Sequence, residues 1–181
     1  MASGPAMRRP PSLWRKLDAA SRMAFPGALL VFGLFIIGVP FGMPGQAEFR
    51  PVFAMACVYF WSLYRPASLP APLTAAIGLL LDLLGLSPLG LWAALLLLLQ
   101  WATIAVRRRL VPAKFMFTWA AFIGFTALAI FLAWGAQSLL DGHWLPVWPA
   151  VLEMLFAAGL YPGLAALLIR AHRGPAAVEL A

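Results

Sequence analysis

Long apolar runs separated by sparse charges make up most of this chain. Between Arg22 and Glu48 lie 25 uncharged residues, between Arg50 and Arg65 lie 14, and between Arg65 and Asp82 lie 16. Leu83–Val106 adds 24, Phe115–Leu140 adds 26, and Gly142–Ile169 spans 28 residues with one acid, Glu153. A helix rising ~1.5 Å per residue needs roughly 20 apolar residues to cross a ~30 Å hydrocarbon core. The pattern predicts an all-α polytopic protein with six spanning helices, near 24–40, 51–65, 71–85, 89–107, 114–138 and 147–170. The second is short, so with Pro51 at its start it must borrow Phe49 or thin the bilayer. Pro66, Pro70 and Pro72 predict a stiff, non-helical connector, and the third span places Asp82 in its last turn.

Composition agrees with lipid as the solvent. Of 181 residues, 64% are hydrophobic and 10% charged, whereas soluble domains carry about 25% charged residues. Disorder is excluded by the hydrophobicity, and a disulfide scaffold by the single cysteine, Cys57. The net charge of +7 raises nucleic-acid binding as a possibility, but its placement answers it. With six spans and a cytoplasmic N-terminus, 12 of the 13 Lys and Arg residues fall inside, and only Arg50 falls outside. That is the positive-inside bias. Merging spans two and three would strand either the N-terminal cluster or Arg107–Arg109 on the wrong side. The expected organisation is a basic cytoplasmic tail (1–23), a transmembrane domain (24–170) and a cytoplasmic tail (171–181), disordered from Gly174. The first run reads as an uncleaved signal anchor. Leu13, Trp14 and Leu17 share one helical face, which fits either an interfacial helix or a disordered basic tail.

Catalytic and metal signatures are missing: the chain has no His-Glu-x-x-His, no paired cysteines and no Gly-x-Ser-x-Gly. Both histidines, His143 and His172, fall outside the predicted spans. No enzyme activity, cofactor or metal is expected, and Cys57 reads as a small apolar residue. Asp82 stands out, because an ionised group at a helix centre costs ~2.5–3.5 kcal/mol on insertion scales, less near an end. Gly78, Asp82 and Gly85 share one helical face. Asp82 is therefore either a binding carboxylate or a structural cap accepting N–H groups from the Gly85–Gly90 turn. Glu153 is the second membrane acid. With Glu48 and Asp141 also outside, four acids face one cation, so Arg50 is expected to pair with Asp82 or Glu153. Gly159-x-x-x-Gly163, around Tyr161-Pro162, predicts a bend and the close approach of another helix, by default within the bundle and otherwise from a partner. No repeat or filter loop marks a transporter or channel.

Phe49-Arg50-Pro51, the run Tyr59-Phe60-Trp61-Ser62-Leu63-Tyr64-Arg65-Pro66, Gly78-x-x-x-Asp82-Leu83 and Pro88-Leu89-Gly90 follow one another in an order that resembles the rod shape-determining protein MreD family. Tyr161-Pro162 before a basic end is similar to that family's last span. The resemblance rests on residues 49–90. It implies a bacterial inner-membrane, multi-pass, non-catalytic subunit of the elongation machinery, which couples MreB filaments to lateral peptidoglycan synthesis and so regulates cell shape. It also implies MreC as the direct partner, with RodA and its penicillin-binding partner doing the chemistry. The family fold is similar to the substrate-binding subunits of energy-coupling-factor transporters, so a vitamin-type transport subunit is the alternative function. The candidate site is an outer-half pocket of Phe49, Arg50, Pro51, Gly78, Asp82, Gly85, Pro88, Gly90 and Glu153. It is expected either to stabilise the fold or to receive the N-terminal helix of MreC.

Overall fold

The computed structural model describes residues 27–39, 46–85 and 87–177. The basic N-terminal segment with Leu13, Trp14 and Leu17, and residues 40–45, 86 and 178–181, lie outside the described residues. The chain is all-helical, and no strand occurs among the described residues. The helices are α1 (Gly27–Gly38), α2 (Gln46–Tyr64), α3 (Ala71–Gly85), α4 (Leu91–Leu110), α5 (Phe115–Asp141) and α6 (Trp148–Ala177). A 3-10 turn, Pro66–Ser68, joins α2 to α3. Among the described residues, three helices are long and apolar enough to cross a membrane: α4, α5 and the Trp148–Leu168 part of α6. α1 and α3 are shorter apolar helices.

α2 is the centre of the bundle. From Pro51 to Leu63 every residue except Phe53 is buried. Apolar character alone does not require this, since a helix apolar all round can equally face lipid; the enclosure of α2 comes from the helices packed around it. It packs against α3, α4, α5 and α6, and Phe53 meets α1 at Gly33. At one end of the bundle the Tyr59 ring meets Phe122 at 5.2 Å and Tyr161 at 5.5 Å, joining α2, α5 and α6. The Tyr59 hydroxyl donates to the Thr118 carbonyl at 2.8 Å, so its polar end is satisfied inside the core.

Hydrogen bonds between helix ends show that α1 to α4 run alternately in opposite directions. The end of α2 lies beside the end of α4, where Arg107 Nε donates to the Leu63 carbonyl at 2.6 Å. The start of α2 lies beside the ends of α1 and α3, through Arg50.

Several expected boundaries move. α2 begins at Gln46, so Pro51 sits inside the helix rather than at its start. Its missing N–H forfeits the bond to the Ala47 carbonyl and its ring crowds that group, which lies in the exposed first turn and can turn to water. The resulting 19 residues reach about 28 Å, but the added first turns carry Glu48 and Arg50, and α2 is not among the helices apolar enough to cross a membrane. The proline connector is partly helical: Pro66 opens the 3-10 turn and Pro72 lies in the first turn of α3, both positions where a missing N–H costs little. α6 stays helical to Ala177, past the expected end at 170 and into the segment expected to be disordered. An established helix extends at one hydrogen bond per residue fixed, whether or not its side chains are apolar.

Candidate functional site

Arg50 and Asp82 meet where α1 and α3 end and α2 and α4 begin. Asp82, in the last turn of α3, is 1% exposed. Its Oδ2 accepts the Gly90 N–H at 2.8 Å, and its Oδ1 accepts the Trp92 N–H at 3.0 Å and the Ser87 hydroxyl at 3.1 Å. Gly90 precedes α4 with φ +93°, which favours glycine, and Trp92 is in the first turn of α4. The carboxylate therefore caps the N-terminus of α4, satisfying otherwise orphaned N–H groups and facing the positive end of the helix dipole. Of the two readings of Asp82 open in the sequence, this geometry is the cap.

Gly78 explains how α4 comes so close. A Cβ added there would lie 2.3 Å from Ala93 Cα and 2.5 Å from Ala93 N, both backbone atoms. The face of Gly78 and Asp82 is thus filled by α4 itself, the fold-stabilising of the two uses expected of it. Gly85 is not a close approach: its nearest outside atom would be Ser87 Oγ at 3.8 Å. Pro88 is exposed, on the loop that Asp82 gathers.

Arg50 pairs with neither acid. Its Nη1 donates to the Leu84 carbonyl at 3.0 Å and its Nη2 to the Gly38 carbonyl at 3.2 Å. Both carbonyls belong to last turns, so one guanidinium caps the negative ends of α1 and α3. Asp82 already has its carboxylate filled by neutral donors, and a fork of N–H groups suits carbonyls as well as carboxylates. Beside Arg50, Phe49 packs edge-on to Phe156 of α6 at 5.8 Å, and Pro51 is buried in the core.

Glu153 stands apart from the Asp82 cap. It is half-buried in the second turn of α6 and has no hydrogen bond or ion pair among the described residues. It lines a cleft of about 220 Å³ between α4, α5 and α6, together with Trp92, Trp134 and Gln137. The outer-half pocket expected from sequence is therefore two features, a filled helix cap and an open cleft, with Trp92 common to both.

The Gly159-x-x-x-Gly163 expectation is also corrected. A Cβ at either glycine would meet nothing within 4 Å, so their face of α6 points away from the bundle. Tyr161, on the opposite face, is the packing residue, stacked on Phe122 at 4.4 Å, and Pro162 lies half-buried beside it.

Sequence reasoning missed several polar anchors. Gln100 donates to the Leu69 carbonyl at 2.6 Å, closing the 3-10 turn against α4. Nothing in the local pattern around Trp92, Trp134 and Gln137 marks the cleft that they share. Ser87 could have been found: a hydroxyl between an acid and a helix start suits a capping loop.

No family model, curated protein or solved structure matches this chain. Fold and site define an all-helical protein with three helices of membrane-crossing length and character.

Proposed function

We propose that this chain is a six-span subunit of the bacterial inner membrane, both termini cytoplasmic, acting as a non-catalytic scaffold of the rod-shape elongation complex in the manner of the MreD family. The observation that carries this reading is how its polar side chains are spent. Asp82, Arg50, Gln100 and Tyr59 all bond to groups of the chain itself. What α4, α5 and α6 turn outward is apolar, including Trp101, Phe131, Leu155 and Leu167. Such a molecule offers lipid and partner helices its faces rather than its chemistry. Charge supports the orientation: Arg65, Arg107–Arg109 and Lys114 lie at the end opposite Arg50.

The single transmembrane helix of MreC is the direct partner in this reading. RodA with its penicillin-binding partner, and MreB filaments, are reached through it. The open Gly159/Gly163 face of α6 is where a single helix can come closest. The test is co-purification of a tagged chain with MreC, alongside Gly159→Leu and Gly163→Leu. Open space at both positions leaves the fold intact, so loss of MreC at unchanged unfolding temperature supports the face. Full recovery of MreC by both variants rejects the face. No MreC with the wild-type chain, and normal rod shape on its depletion, rejects the function. For the vitamin-transport alternative, the Glu153 cleft of about 220 Å³ is below the roughly 300–1,000 Å³ of drug-sized ligand pockets, and the hollow of about 510 Å³ beside Ser138, His143 and Trp144 is large enough but lined mostly by apolar groups.

A further inference from the structure

Glu153 is the carboxylate that the fold leaves unused. Asp82 is consumed by the α4 cap, whereas Glu153 has neither donor nor cation among the described residues. A partly buried carboxylate in such a place is stabilised most by a cation brought from outside.

The cleft it lines has the composition to receive one. Trp92 and Trp134 contribute to the wall, and an indole face attracts an organic cation. Gln137 adds a side chain that both donates and accepts. Pro146 and Pro149 form the rim, and no Lys or Arg lines the cleft to hold an anion. The rim is anchored rather than loose. Trp134 Nε1 donates to the Leu145 carbonyl at 3.1 Å, and the Leu145 N–H donates to Ser138 Oγ at 3.3 Å. On the α4 side, Trp92 is held by the bond from its N–H to Asp82. The cleft is thus preorganised, and its volume of about 220 Å³ suits a headgroup rather than a large metabolite.

We propose that the cleft between α4, α5 and α6 binds an ammonium group, with Glu153 as its counter-ion and Trp92 and Trp134 as its aromatic wall. The ammonium belongs either to the headgroup of a membrane phospholipid or to a free small amine. This site does not depend on the scaffold reading and stands or falls separately from it.

The experiment uses the full chain in an uncharged detergent. Retention of phosphatidylethanolamine against phosphatidylglycerol is measured by native mass spectrometry, and free ethanolamine is titrated by tryptophan fluorescence. Each is repeated with Glu153→Gln, which keeps shape and removes charge, and with Ala150→Phe, which fills the cleft and keeps the charge. The expected result is preferential retention of phosphatidylethanolamine, weakened about tenfold or more in Glu153→Gln, the scale of a lost charge-assisted bond, and abolished in Ala150→Phe. Saturable ethanolamine binding with the same variant pattern, and no lipid preference, assigns the site to a free amine. Binding of neither probe, or binding unchanged in Ala150→Phe and in folded Glu153→Gln, overturns the proposal.

Discussion

Asp82 and Gly78 illustrate how a single position is set by what touches it. Asp82→Ala leaves the Gly90 and Trp92 N–H groups without their acceptor in a buried turn. Charge-assisted bonds of this kind contribute about 1.5–3 kcal/mol each, so a loss of roughly 3 kcal/mol or more is expected in detergent unfolding. An unchanged unfolding midpoint would show that the cap contributes nothing. Gly78→Ala places a methyl on the backbone of Ala93 and should cost about 1–3 kcal/mol or more, since backbone cannot step aside as a side-chain tip can. Gly124→Ala is the matched control: a Cβ there meets nothing within 4 Å, and its unfolding midpoint should not fall. The spacing of Gly78, Asp82 and Gly85 was legible in the sequence as one face. Which neighbour occupies that face was not, because the α3–α4 loop folds α4 back onto it.

At the scale of helices, Arg50 was readable as the one outer cation but not as a cap for two helices. Its partners are the carbonyls of Gly38 and Leu84, and backbone carbonyls carry no signature in a residue string. Arg50→Met should lower stability by roughly 1–3 kcal/mol while leaving helix content in circular dichroism nearly unchanged. Arg50→Lys should recover part of the loss, since one ammonium cannot span both helix ends as a planar fork does. A variant as stable as wild type would remove Arg50 from the joint. The ends of α2 and α6 were mispredicted for a related reason. Apolar runs report which residues lie in lipid, whereas helices end where hydrogen bonding ends, and polar turns such as Gln46–Arg50 belong to the same helix.

For the whole molecule, the defining feature is that α2 is wrapped by its neighbours while α4, α5 and α6 face outward. Cys57 lies at the middle of α2 with 0% exposure, which makes it a reporter of the assembled bundle. A thiol-reactive maleimide should leave Cys57 unmodified in the folded protein, and labelling should rise in step with unfolding. Rapid labelling under native conditions would contradict the central placement of α2.

The apolar runs and their charged punctuation were enough to establish a helical chain built for lipid, the approximate position of each helix and the uneven distribution of basic residues. These follow from local quantities: run length, residue type and the cost of placing a charge in hydrocarbon. Tertiary structure alone decided that α2 is the enclosed helix, that Asp82 and Arg50 serve helix ends instead of each other, and that the α6 glycines look outward. It also separated the filled cap at Asp82 from the open cleft at Glu153. Those outcomes depend on which backbone groups and faces of distant segments are brought together, and two acids in similar apolar runs carry no local mark of which one the fold will satisfy.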